Sequence, residues 1–253
     1  MLSGARVRFL GHSTVLVEDS GVRLLTDPIL HDRVGHLRRH GAAIKQDLWQ
    51  GLDGLLVSHL HHDHFDRRSL ELLDRGTRVV VPAGGGQLLR DLGFSLIDEV
   101  VAGDRVDFGE LSVLAVKAEH QGGRGPRSGH HAQPVGYVVE GERRIYFAGD
   151  TDIFPQMEEV AAPALDVALL PVWGWGPTLG PGHLNPRSAA DALVLLNPRI
   201  AVPIHWGTLY PFGLHRWRPR PLSDPPHLFQ RYASDLLPQC DVRILEPGGA
   251  TEL

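Results

Sequence analysis

The sequence predicts an α/β fold in which sheets carry helices on their outer faces. Two observations point there. The first half reads as a meander of short apolar strands joined by tight turns, and the second half alternates apolar strands with amphipathic helices. Both patterns call for layered sheet and helix around a shared core. A third observation bounds the arrangement: no repeat, low-complexity tract or linker divides residues 1–253, so a single domain is expected.

The elements follow in order. Val7–Leu10, Thr14–Glu18 and Val22–Thr26 are strands, broken by Gly11-His12 and Ser20-Gly21. A basic stretch, HDRVGHLRRHG (31–41), reads as a loop, and Leu55–Val57 is the next strand. Asp66 is an N-cap for a helix over Arg67–Arg75, with Leu70, Leu72 and Leu73 as its apolar face. Val79–Val81 is a strand and Leu88–Leu92 a short helix. Strands are predicted at Val106–Phe108, Leu111–Lys117, Val135–Val139 and Ile145–Ala148. The alternating half supplies strand Val167–Leu170, helix Arg187–Leu196, strand Ile200–Pro203, a helix within Leu228–Leu237 and strand Val242–Leu245.

Composition excludes several classes. A 42% hydrophobic and 22% charged chain can bury a sizeable core. A formal net charge of −5 argues against a nucleic-acid partner, because such domains carry a basic excess. The start MLSGARVRFLGHSTVLVE has no uninterrupted apolar stretch, so no signal peptide is expected, and no apolar run reaches bilayer-spanning length. A cytoplasmic protein is the expectation. The single cysteine, Cys240, excludes an intramolecular disulfide and a cysteine-based zinc finger, and is read as an inert buried thiol. Any metal must therefore be held by His, Asp or Glu.

One stretch concentrates such residues. VSHLHHDHFD (57–66) places four histidines and two aspartates directly after the apolar Leu55-Leu56-Val57. His59, His61, Asp63 and His64 form H-x-H-x-D-H. In an extended segment residues i and i+2 project to one side, so His59 and His61 can grip one ion together. A turn into the following helix lets Asp63 and His64 point at a second. His62 has the opposite parity and is given a supporting role. Three more apolar runs each end in one candidate ligand: His120 after LSVLAVKAE, Asp150 after RIYFAG, and His205 after IAVPI. Four strand ends carrying His or Asp point to a metal site.

H-x-H-x-D-H, a lone downstream His, AGD (148–150) and HWG (205–207) together resemble the metallo-β-lactamase superfamily over essentially the whole chain. FLGHSTVLVE (9–18), LLTDPIL (24–30) and VPIHWGT (202–208) resemble its branch of N-acyl-phosphatidylethanolamine phospholipase D and ascorbate-6-phosphate lactonase-like proteins. The resemblance implies a four-layer αββα sandwich with a binuclear centre at one edge. It assigns His59, His61 and His120 to a first metal, Asp63, His64 and His205 to a second, and Asp150 to a bridge. All-nitrogen and oxygen ligands suit two divalent ions, zinc first, with manganese or iron open. Such a pair supplies a bridging hydroxide at neutral pH and stabilises charge on the attacked group.

Loops after the ligand-bearing strands should wall the substrate. Trp173, Trp175, Trp206 and Arg216 are the substrate-binding candidates, with Trp217 and the loop arginines 33, 38, 39, 124, 127, 218 and 220 around them. Aromatic and basic side chains gathered in an acidic protein suggest an anionic, partly apolar small molecule. His183 precedes Asn185-Pro186, a cap and first-turn pair for the helix Arg187–Leu196, and so stands beside a helix N-terminus. It is the candidate leaving-group acid or phosphate ligand, and with Asp63 makes the catalytic pair. His12 is read as packing or supporting, and Asp27 as holding the turn at Pro28. The leading expectation is a metal-dependent hydrolase of a phosphodiester or ester. The alternatives are a lactonase of a phosphorylated sugar, a nuclease of the same superfamily, or a non-catalytic metal-binding protein. A flavodiiron oxidoreductase would carry Glu where this chain has His61. A homo-oligomer is left open.

Overall fold

The protein is described here as a computed structural model covering residues 4–125, 128–176 and 180–253. Its strands are Arg6–Gly11 (β1), Thr14–Asp19 (β2), Val22–Thr26 (β3), Arg33–Val34 (β4), Leu37–Arg39 (β5), Gly54–Leu56 (β6), Arg78–Pro82 (β7) and Ile97–Val100 (β8). They continue with Arg105–Phe108 (β9), Leu111–Lys117 (β10), Val135–Glu140 (β11), Arg144–Phe147 (β12), Val167–Pro171 (β13), Ile200–Ile204 (β14), Leu209–Pro211 (β15), Asp241–Val242 (β16) and Ala250–Glu252 (β17). The helices are Arg67–Leu70 (α1), Gly86–Arg90 (α2), Met157–Val160 (α3), Pro186–Leu196 (α4) and Asp224–Leu236 (α5).

Two seven-stranded sheets result, ordered β17-β1-β2-β3-β6-β7-β8 and β16-β14-β13-β12-β11-β10-β9, with β15-β5-β4 as a small third sheet. Strand alternation decides how they stack. Val15, Val17, Leu24, Leu56 and Val80 share a buried cluster with Val113, Val139 and Phe147 of the second sheet. Their chain neighbours Leu16, Leu25, Leu55, Val79 and Val81 face the other way, onto Leu70, Leu88 and Leu89 of α1 and α2. On the far side, α4 and α5 lie against β13 and β14 through Ala189, Leu193 and Phe229. Helix, sheet, sheet and helix make the four-layer sandwich that the sequence implied. Burying each Leu or Val is worth about 1.5–3 kcal/mol, so a one-residue slip in any of these strands would lose several such contributions together.

Strand direction then positions the site. β1 runs antiparallel to β2 and β2 to β3, while β3 and β6 are parallel. In the second sheet β10 is antiparallel to β11 and β11 to β12, and β12, β13 and β14 are parallel. Hence β1, β3 and β6 share one direction, and β10, β12, β13 and β14 share one direction. His12, Asp27, His59, His120, Asp150 and His205 all follow the carboxyl ends of these strands, the edge at which open α/β sheets gather ligands.

Several elements differ from the sequence reading. The helix expected over Arg67–Arg75 ends at Leu70: the Arg75 guanidinium takes the Leu70, Glu71 and Leu73 carbonyls, and the chain closes in turns. Its cap is as expected, with Asp66 accepting from the Ser69 amide at 3.0 Å. The helix read at Leu88–Leu92 occupies Gly86–Arg90. The last helix starts earlier than Leu228, because Pro225 and Pro226 fit a first turn whose amides need no partner. The basic stretch 31–41 is a hairpin, β4 and β5, extended by β15. Arg39 anchors it, buried against the Leu10 and Ile29 carbonyls. Strand β8, helix α3 and strand β17 had no sequence expectation, and Val242–Leu245 shortens to Asp241–Val242. Among the described residues no helix is long and apolar enough to cross a membrane.

Candidate metal centre

Two groups of side chains meet at the carboxyl edge. His59, His61 and His120 form one, and His12, Asp63, His64 and His205 the other. In the first, His59 Nε2 and His120 Nε2 each lie 3.0 Å from His61 Nδ1. In the second, His64 Nε2 and His205 Nε2 are 3.0 Å apart. Asp150 stands over the second group, Oδ2 at 3.2 Å from His64 Nε2 and Oδ1 at 3.2 Å from His205 Nε2. His120, Asp150 and His183 also form a group.

The partners of the outer ring nitrogens fix which atoms carry lone pairs. The Gly182 carbonyl only accepts, so His120 donates through Nδ1 at 2.7 Å and its Nε2 is a bare acceptor in the neutral ring. Ser58 donates its hydroxyl to Asp27 Oδ2 at 2.6 Å, so it accepts from His59 Nδ1 at 2.9 Å, which bares His59 Nε2. Asp27 Oδ2 also accepts from His64 Nδ1 at 2.7 Å. Inward-facing nitrogens at 3.0 Å, with His120, His59 and His64 oriented from outside by the Gly182 carbonyl, the Ser58 hydroxyl and the Asp27 carboxylate, are an arrangement that suits a cation. The donor set therefore fits a divalent metal.

Electrostatics agree. Burial drives His59 well below its ordinary value, takes His61 to about 4 and His205 to about 3, and lowers His120. These rings are neutral near pH 7, the form that binds metal. Burial presses His64 down as it does its neighbours, but Asp150 and Asp27 outweigh it and raise the ring well above its ordinary value. Burial likewise opposes ionisation of Asp63 and Asp150. At Asp63 the His12 hydrogen bond and the His64 charge prevail, and at Asp150 the charges of His205 and His64 do, so both stay well below the carboxylate range. A proton on His64 thus supplies positive charge that a bound cation would supply instead.

Local backbone makes this possible. Of the five non-glycine residues with positive φ among the described residues, three are His12 (56°), Asp27 (30°) and His205 (63°). Left-handed backbone in non-glycine residues concentrates where surrounding structure over-determines it, commonly at functional sites. Gly149 (φ 61°) turns the chain into Asp150 where any Cβ would lie 2.6 Å from the Ser58 Cβ.

A cavity of about 730 Å³ opens over the centre, lined by His61, Asp63, Asp150, His183 and His205 with Trp175, Val34, His36 and Leu37. His183 faces into it, Nε2 3.7 Å from Asp150 Oδ2 and its ring 4.6 Å from that of His120. His62 stands exposed at the rim. Trp175 lines the cavity as expected, but the other substrate candidates do not. Trp206 is buried, stacked 5.9 Å from Phe9 and donating to the Pro203 carbonyl at 2.9 Å. Trp173, half-buried, packs against the core beside Tyr210, ring centroids 5.7 Å apart. Arg216 borders a separate depression with Arg38, His40 and Phe212. Among the loop arginines only Arg124 lines the main cavity, its guanidinium held by the Leu60 and Phe65 carbonyls, and Arg127 lies outside the described residues. The β4–β5 hairpin, read from its charges as a loop, lines the cavity through Val34 and Leu37, where arginines were expected.

Asp27 corrects a second reading. It holds more than a turn, since its carboxylate orients His64 directly and His59 through Ser58. The signal is present in the sequence: LLTD is an apolar run ending in Asp, as the runs before the candidate ligands His120, Asp150 and His205 end in His or Asp.

A three-imidazole group beside an imidazole–carboxylate group at the strand ends of an αββα sandwich is consistent with the class of metal-dependent hydrolases. Residues 22–206 match the family model described as the beta-lactamase superfamily domain, and the chain belongs to the metallo-β-lactamase superfamily. It is 31% identical over 236 residues to N-acyl-phosphatidylethanolamine-hydrolyzing phospholipase D 1 of Caenorhabditis elegans, covering 83% of this chain and 66% of that one. It is 30% identical over 259 residues to a UPF0173 metal-dependent hydrolase of Rubrobacter xylanophilus, covering 98% and 96% of the two chains. The fold is shared with Igni18, a metallo hydrolase of Ignicoccus hospitalis, at a TM-score of 0.77 and 22% identity, over 99% of each chain.

Proposed function

We propose that this metal-dependent hydrolase uses two divalent ions, zinc being the best match to its ligands, to cleave a phosphodiester or ester in a small, anionic, partly apolar molecule. The observation that carries the reading is the pair of converging nitrogen and oxygen groups joined at Asp150 beneath the cavity. His59, His61 and His120 would hold one ion, Asp63, His64 and His205 the other, and Asp150 both. Bound there, the ions would acidify a water to a nucleophile and polarise the scissile group. The chain's own residues do the rest. Trp175, Val34 and Leu37 offer apolar contact and exclude water on one side. His183, facing Asp150 and the cavity, can give a proton to a departing alkoxide or bind an anionic oxygen. Similarity to a phospholipase D supports the phosphodiester over the lactone. The test is metal content of the purified chain together with hydrolysis of aryl and alkyl phosphodiesters, carboxylic esters and sugar lactones. Close to two ions per chain and phosphodiester turnover abolished by chelation are expected. Turnover confined to lactones would replace the substrate class, and a single ion retained at full activity would remove the binuclear reading.

A further inference from the structure

Asp63 is bound unevenly. Its Oδ2 accepts from the Trp175 indole N–H at 3.1 Å and lies 3.3 Å from His12 Nε2, while Oδ1 accepts no hydrogen bond among the described residues. An indole nitrogen only donates, so the sense of the first contact is fixed. Two donors on one oxygen stop the carboxylate from rotating and leave the other oxygen free.

Both donors are themselves held. Trp175 packs on the cluster of Ile29, Val34, Leu37 and Leu209, and His36 meets its ring edge-on at 5.1 Å. His12 is buried in left-handed backbone, its amide donating to Thr208 Oγ1 at 2.9 Å and its carbonyl accepting from the His205 amide at 2.7 Å. Its ring lies 3.8 Å from the ring of His205. One clamp arm is thus built on the cavity wall, the other on the ends of β1 and β14.

We propose that Trp175 and His12 are positioning residues that clamp Asp63 Oδ2 and so present Oδ1 alone as the ligand atom, an inference that rests on Asp63 being a metal ligand. Because the indole is at once clamp and cavity wall, a substrate pressed against it bears on the geometry of that ligand. Trp175 is then where substrate shape and metal affinity meet.

The test uses the full chain loaded with cobalt(II) and, separately, zinc. Trp175→Phe keeps an aromatic wall and removes the N–H. Partners of this kind are typically worth about 10–100-fold in metal affinity or activity. We expect Trp175→Phe to weaken one of two ions by that factor, alter the cobalt absorption spectrum, and lower kcat more than it raises KM. Asp63→Asn should weaken the same ion. His12→Asn, which tolerates left-handed backbone but is too short to reach Asp63, should reproduce the cobalt change should Trp175→Phe fail to fold. If Asp63→Asn weakens one ion while Trp175→Phe and His12→Asn leave affinity and spectrum unchanged, the clamp is overturned and the ligand assignment stands. If Asp63→Asn also leaves both ions in place, the ligand assignment falls and takes the clamp with it.

Discussion

Asp27 and His183 are the residues where single atoms carry most consequence. Asp27 Oδ2 accepts from both His64 and Ser58, and Ser58 in turn accepts from His59, so one carboxylate sets the tautomer in both groups. Asp27→Asn turns one acceptor atom into a donor and cannot satisfy that network in either flip without a clash of donors or a lost bond. Affinity for metal should fall about 10–100-fold, read by equilibrium dialysis against zinc; unchanged affinity would mean the inward tautomers are set elsewhere. His183 poses a different question, because it lines the cavity and groups with His120 and Asp150 rather than with His59 and His61 or with Asp63, His64 and His205. His183→Ala should leave metal content intact and lower kcat, general acid catalysis being worth roughly 10²–10⁴-fold. The loss should shrink for aryl phosphodiesters, whose leaving groups need no proton. An equal loss for aryl and alkyl substrates would make His183 a binding group.

At the scale of elements, the capping of α4 holds the loop that carries His183. Asn185 accepts from the Arg187 and Ser188 amides, Ser188 returns a bond from the Asn185 amide, and Pro186 opens the helix. Asn185→Ala should cost about 1 kcal/mol, lowering Tm by about 2–4 °C in a scanning calorimeter. A Tm within error of the parent would show that the Leu184–Thr151 backbone bond fixes the loop unaided. This helix start was legible in the sequence because the cap, the proline and the apolar period agree. The strand ends were legible for the same kind of reason: β6, β10, β12 and β14 are apolar runs that each stop at a candidate ligand. The β4–β5 hairpin was not. Its strands are two and three residues long and rich in arginine, and they are strands because Val34 and Leu37 fill a cluster with Ile29 and Leu209. That is a tertiary fact with no local period. Trp206 failed in the opposite direction, a tryptophan in a ligand-bearing loop whose ring turns back onto Phe9. Position along the chain revealed which loops line the cavity, but rotamer decided which side chains do.

For the whole molecule, gathering so many ionisable groups makes the stability of the metal-free protein depend on pH from two sides. His61 and His205 titrate at about 4 and about 3 in the fold against 6.5 unfolded. As pH falls below 6.5 the unfolded chain takes up protons that these folded rings refuse, so stability falls until pH reaches the folded values. Asp63 and Asp150, held below the carboxylate range, extend the loss once pH drops under 3.8. His64 acts with the opposite sign, because its folded value is raised. Its contribution is fully present below 6.5 and is lost as pH rises above that, since the unfolded ring gives up a proton that the folded one keeps. The two slopes meet near pH 6.5, where the Tm of chelator-treated protein should peak. Bound metal takes over the charge that the His64 proton supplies, so the alkaline decline should vanish in the loaded protein. It should also melt higher, by an increment of about 4 kcal/mol in stability at a thousandfold excess over Kd. Melting both forms between pH 5 and pH 9 checks this. An alkaline limb of equal slope with and without metal would mean that His64 keeps its proton in the loaded protein, and it would then have no place among the ligands.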